Sequence, residues 1–149
     1  MNNIRFDYQY RDAHGSKKCD FVVFANPENL GVEEIISRLE QALWDSEFFI
    51  ARQIRIPDLF LYLNDRPDPE IDHCFHYFDT VTIVSDAVTD LHNRTIGEFI
   101  HEVQTQSSLG WKVFDPGQSL PFQIGHNDGT VTKTIDLHKL SKLACRRSN

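Results

Sequence analysis

The chain has 149 residues and 17.3 kDa, enough for one compact domain, and its 40% hydrophobic content with eleven Phe excludes wholesale disorder. No apolar run reaches the roughly 18 residues of a membrane span, and the N-terminal segment has neither the basic start nor the apolar stretch of a signal peptide, so a cytoplasmic chain is expected. The formal charge of −7, with eight acidic residues against Arg66 alone across 58–90, disfavours direct binding to nucleic acid and gives no reason to expect a membrane partner.

Ile4, Phe6, Tyr8 and Tyr10 alternate with Arg5, Asp7, Gln9 and Arg11, the period of a half-buried strand. His14-Gly15-Ser16 supplies a turn, and the apolar run from Cys19 to Ala25 reads as the second strand of a hairpin that Asn26-Pro27 ends. Val32, Ile35, Ile36, Leu39, Ala42 and Leu43 then fall at helical spacing, which predicts an amphipathic helix over about 31–44 with Gly31 as N-cap. Residues 48–55 are rich in β-branched and aromatic types and read as a strand stopped by Pro57. The segment from Asp58 to Leu63 fits a short strand or a helical turn equally well, and 64–72 reads as a polar loop. His73 to Val84 is a long β-prone run. Thr95 and Glu98 form a capping box for a second helix, whose stripe is Ile96, Phe99, Ile100 and Val103 and which runs to about 106. Trp111, Val113 and Phe114 close this part as an apolar clasp.

Composition shifts at Pro116. Six of the fifteen basic residues lie beyond position 110, against three of the 22 acidic ones. Asn127-Asp128-Gly129 suits a hairpin turn, and Leu137, Leu140 and Leu143 suit a short basic helix. The expectation is an α+β domain over 1–116, with two helices packed on one face of an antiparallel sheet of four or five strands, followed by a hairpin and short-helix extension over 117–149.

The segment from Asp72 to Asp79, Asp-His-Cys-Phe-His-Tyr-Phe-Asp, carries the densest chemistry. On a strand, Asp72, Cys74 and His76 would share a face and could offer carboxylate, thiolate and imidazole to Zn²⁺ or another divalent metal, while a helical turn would instead bring His73 and His76 together. The competing interpretation is a core strand whose histidines are hydrogen-bonded at its rim. No dinucleotide-binding, P-loop or nucleophile-elbow motif is present, and His101-Glu102 lacks a second histidine because Thr105 stands in its place. Cys19, Cys74 and Cys145 are an odd count without a Cys-x-x-Cys pair, which suits a reducing compartment. Tyr10 and Arg11, with the aromatic residues Phe48, Phe49 and Phe60, are candidates for a partner-binding surface.

Tyr10-Arg11-Asp12, Val22-Val23-Phe24, Glu33-Glu34-Ile35, Glu47-Phe48-Phe49, Ile56-Pro57-Asp58-Leu59, His73-x-x-His76-x-Phe78 and Trp111-x-x-Phe114-Asp115-Pro116 together resemble a family of small bacterial proteins with no established activity. The likeness spans about 4–116. It implies a bacterial single-domain protein and carries no catalytic residue with it. The function expected is an acidic protein-interaction module, of adaptor, inhibitor or immunity type, acting on a protein partner or on further copies of itself, without catalysis and without a cofactor. The alternative is a metal-binding protein or small metal-dependent hydrolase centred on Asp72, His73, Cys74 and His76. A third reading, mimicry of nucleic acid by the acidic 58–90 stretch, requires a basic partner.

Overall fold

The computed structural model describes residues 2–61 and 70–116. Strand β1 (Asn3–Arg11) and strand β2 (Lys17–Phe24) form the expected antiparallel hairpin, in a register that runs from Ile4 opposite Phe24 to Arg11 opposite Lys17. Gly15 takes φ 86° in the turn, a conformation that favours glycine, and the Asp12 carboxylate accepts the His14 and Ser16 N–H groups there. Helix α1 (Val32–Ala42) follows, then strand β3 (Phe48–Phe49), strand β4 (His76–Val84) and helix α2 (Ile96–Leu109). The strands make one antiparallel sheet of order β2-β1-β4-β3. The fold is thus α+β, with four strands and two helices among the described residues.

Alternation along β1 decides the core. Ile4, Phe6, Tyr8 and Tyr10 all point to the helix side and are buried with Ile35 and Leu39 of α1 and Ile96, Phe99, Ile100 and Val103 of α2. Phe6 sits at the centre, stacked on Phe78 at 5.4 Å and edge-on to Phe99 at 5.1 Å. Such aromatic pairs add roughly 0.5–1.5 kcal/mol each beyond the area they bury. β4 pairs with β1 through a bulge, since Asp7 opposes Thr80 while Tyr8 opposes Phe78. Asp79 is the extra residue, and it lets Phe78 and Val81 face the same core despite their odd spacing. A smaller cluster on the other face joins Phe48, Ile50, Cys74, Phe75 and Tyr77, with Trp111, Val113 and Phe114 packed against it.

The capping box of α2 forms as expected, the Thr95 hydroxyl accepting the Glu98 N–H and the Glu98 carboxylate accepting the Thr95 N–H. Gly97, one residue into that helix, is where the Glu28 carboxylate closes on the backbone, in the space a Cβ would take.

Three expectations need correction. The strand over 48–55 is only Phe48–Phe49, and Ala51–Ile54 form a 3-10 helix that ends with Arg55 in the left-handed region at φ 58°. The apolar residues of that stretch are buried either way, so periodicity could not separate the two forms. What selects the 3-10 turn is where its backbone finds partners, since the Ile54 and Arg55 carbonyls both accept from the Arg94 guanidinium at 2.8 and 2.9 Å. Second, β4 starts at His76, so 72–75 lies outside the strand with a bend at Cys74, and the facial alternation expected for Asp72, Cys74 and His76 does not hold, Cys74 packing with Phe48 and Phe75 while His76 meets Tyr10 and Phe60. Third, α2 reaches Leu109, three residues beyond expectation. Residues 64–69 of the polar loop expected over 64–72, and the extension expected over 117–149, lie outside the described residues.

Candidate functional site

Two irregular segments, 56–60 and 72–75, cross the end of the sheet where β1 and β4 meet. Neither has a strand or helix ladder to satisfy its backbone, and buried polar groups without partners are costly. Side chains of the sheet do the work. The Tyr8 hydroxyl donates to the Pro57 carbonyl at 2.7 Å. The Leu59 N–H donates to His76 Nε2 at 2.8 Å. The Tyr10 hydroxyl accepts the His73 N–H at 3.2 Å and donates to Asp72 Oδ1 at 2.9 Å. His73 Nδ1 accepts the Phe75 N–H at 3.0 Å, and its Nε2 lies 2.6 Å from the Arg11 carbonyl oxygen.

These bonds determine both tautomers. A carbonyl oxygen only accepts, so His73 carries its proton on Nε2 and uses the Nδ1 lone pair for Phe75. His76 accepts at Nε2, so its proton is on Nδ1, which is buried without a hydrogen-bond partner among the described residues. Each neutral imidazole has one lone pair, and each gives that pair to a backbone N–H. Burial reinforces the neutral form, lowering His73 to about 4 and His76 to about 3. Burial also pushes the Cys74 thiol up to about 12, which keeps it from being a thiolate. The Tyr8 and Tyr10 hydroxyls are pushed well above their ordinary value by the same desolvation.

The structure therefore brings Tyr10, Asp72, His73 and His76 together, with the Tyr10 ring 5.0 Å from the His73 ring and 5.6 Å from the His76 ring. It does not arrange Asp72, His73, Cys74 and His76 as a ligand set. Among the described residues no group of three or more His, Cys, Asp or Glu side chains converges on one point. A metal at either imidazole would have to displace a buried backbone hydrogen bond, and at Cys74 it would first have to deprotonate the thiol. The cluster ties irregular backbone to the sheet.

The residues expected at a partner surface are also interior. Phe48, Phe49 and Tyr10 are wholly buried, Phe60 packs edge-on against Tyr10 at 5.2 Å, and Arg11 is 7% exposed. Two covers account for the correction: Tyr10, Phe49 and Phe60 belong to the helix-side core, and Phe48 lies on the other face under Cys74, Phe75 and the clasp from Trp111 to Phe114. Arg52 joins these parts, pairing with Asp58 at 3.1 Å and lying over the Phe114 ring at 4.2 Å.

Sequence reasoning missed the best-connected charged group. Arg94 is buried and donates to Asp90, Glu102 and the two carbonyls of the 3-10 turn. Arg55 completes the network against Glu102 at 2.7 Å. The i, i+4 spacing of Asp90 and Arg94 was the one available signal. An open groove of about 600 Å³ beside it is lined by Glu28, Arg55, His101, Glu102, Thr105 and Gln106, with charges of both signs.

Among the described residues, the outer edge of β2 carries no neighbouring strand. The Val23 N–H donates to Thr89 Oγ1 at 2.8 Å and the Val23 carbonyl accepts the Thr89 N–H at 3.0 Å, so the polar groups of Val23 point away from β1. Alternation puts those of Lys17, Cys19 and Phe21 on the same outer side. Beyond Val23 the edge is closed by Thr89 and by the Ile96 N–H, which donates to the Ala25 carbonyl. Residues 17–21 are all exposed, and the Phe21 N–H is held by the carboxylate of its neighbour Asp20 at 2.8 Å. Among the described residues no helix is long and apolar enough to cross a membrane. No protein-family model, curated protein or solved structure matches the chain.

Proposed function

We propose that this protein is a non-enzymatic interaction module that engages a protein partner through the open edge of β2. The single observation behind this reading is the row of outward backbone groups at Lys17, Cys19 and Phe21, exposed while the rest of the same edge is capped by 89–96. Open edges pair readily with another extended chain, and folded proteins that keep one uncovered usually use it or guard it. The state of the chemically capable side chains supports the same conclusion. Both core imidazoles are neutral with their lone pairs committed, and the Cys74 thiol is protonated. In this reading the protein acts in the bacterial cytoplasm, where the exposed Cys19 thiol stays reduced.

The test is a benzophenone amino acid placed at position 19, and as a control at position 40 on the exposed side of α1, followed by illumination in living cells. A discrete adduct from position 19 and none from position 40 is the expected result. No adduct at 19, or the same adducts from both positions, overturns the reading.

A further inference from the structure

We infer that the partner at this edge is a second copy of the same chain, paired antiparallel through β2 about a two-fold axis at Cys19. The inference rests on the interaction-module reading and names its occupant.

The open window is five residues long. The hairpin turn bounds it at Ser16, and Thr89 and Ile96 close it from Val23 onward. A symmetric antiparallel pair that uses the whole window must be centred on Cys19. In that register Cys19 faces Cys19 of the other copy, Lys18 faces Asp20, and Lys17 faces Phe21, each of the last two pairs occurring twice by symmetry. In the order Lys-Lys-Cys-Asp-Phe every facing charged pair is then opposite in sign, and no like charges meet. A uniformly acidic or basic strand would meet Asp20 or the two lysines with like charge.

The backbone phase agrees. Lys17, Cys19 and Phe21 turn their N–H and carbonyl groups outward, so the Cys19 pair and the two Lys17–Phe21 pairs are the hydrogen-bonded ones. The Lys18–Asp20 pairs are then the non-hydrogen-bonded ones, whose Cα atoms approach to about 4.5 Å and whose side chains meet most closely. Asp20 lets go of the Phe21 N–H, which it now holds, and that donor passes to the neighbouring strand. Phe21 already carries the Arg5 guanidinium 3.9 Å from its ring centre, so the ring is a face that accepts a cation, and Lys17 of the second copy comes alongside it. The two sheets join into one of eight strands. The contact is confined to the five residues of one edge, so the dimer is a reversible one.

The test uses the purified 149-residue chain and sedimentation velocity from about 1 μM to about 1 mM, a span that brackets micromolar to millimolar Kd values. The wild type is expected to pass from monomer to dimer. Lys18→Asp and Asp20→Lys each convert two attractive pairs into two repulsive ones and are expected to weaken the dimer roughly tenfold or more. The double variant Lys18→Asp/Asp20→Lys restores both pairs and the dimer. An equimolar mixture of the two single variants forms a heterodimer, because every facing pair is then opposite in charge. Cys19→Pro removes an outward N–H at an edge, where proline is tolerated, and leaves a folded monomer; the charge variants decide the matter if it does not fold. A monomer at every concentration, or a dimer indifferent to the charge swap, overturns the inference. If the chain stays monomeric while position 19 still yields an adduct of a different protein, the second copy is ruled out and the interaction module stands.

Discussion

Acid should unfold this protein earlier than its carboxylates alone would allow. His73 and His76 are buried as neutral rings, with folded values lowered by burial to about 4 and about 3. In the unfolded chain an imidazole titrates near 6.5. The sign follows from proton counting. Above that value neither state binds the proton and nothing is lost. As pH falls below it the unfolded chain takes up two protons that the folded chain refuses, so stability drops until the folded values are reached. Between about pH 7.5 and pH 5 each ring costs about 2 kcal/mol, so the pair costs about 4 kcal/mol. That is a large share of the 5–15 kcal/mol typical of a domain. Asp90 and Glu102, held low by the Arg94 and Arg55 guanidinium groups, lose their contribution only as pH falls through the carboxylate range. Asp58, raised by burial, changes in the opposite direction in that lower region. The assay is urea unfolding at a series of pH values across that window, for the wild type and for His73→Gln and His76→Gln. Each single variant should lose about half of the pH slope, whatever its stability at neutral pH. Imidazole proton resonances of the folded wild type should show two rings that do not titrate above about pH 5. A flat stability between pH 7.5 and 5, or an unchanged slope in both variants, would refute the assignment of these rings as neutral and committed.

Other outcomes follow from the same contacts. Arg94→Met strands the buried Asp90 and two backbone carbonyls, and should cost about 3–5 kcal/mol in urea unfolding. Gly97→Ala should stabilise by about 0.5–1 kcal/mol, because the atom in the way belongs to the exposed Glu28 side chain, which can swing aside; a loss of stability that Glu28→Ala relieves would mean that the side chain cannot move. Thr95→Ala removes one arm of the capping box and should cost about 1 kcal/mol by thermal or urea unfolding. In a Cys145→Ser background, Cys19 should react with a thiol reagent at once and Cys74 only on unfolding, since one thiol is exposed and the other is buried and protonated. A second fast thiol would contradict the burial of Cys74.

The hairpin, both helices and the capping box were legible in the residues because each rests on local periodicity. Period 2 over Ile4–Arg11 and the stripe from Val32 to Leu43 each describe one element meeting one apolar face. The 48–56 stretch was not legible, since its isoleucines bury equally well from a strand or from a 3-10 turn. The decision came from Arg94, some forty residues away, taking its carbonyls. The histidine segment stood out as chemically loaded, yet its chemistry depends on which backbone groups arrive at the rings. Leu59 and Arg11 come from elsewhere in the chain and claim His76 and His73. Likewise Phe48, Phe49 and Phe60 read as candidates for a surface only while nothing covered them.

Sequence alone determined the hairpin, the two helices and which side of each is apolar, because these depend on neighbours a few positions apart. Tertiary structure alone decided the strand order, and with it which edge is exposed, which lone pairs are spent and which aromatics lie inside. Those properties belong to pairs of groups far apart in the chain, and a charge, a ring nitrogen or a strand edge acquires its role only from what is brought against it.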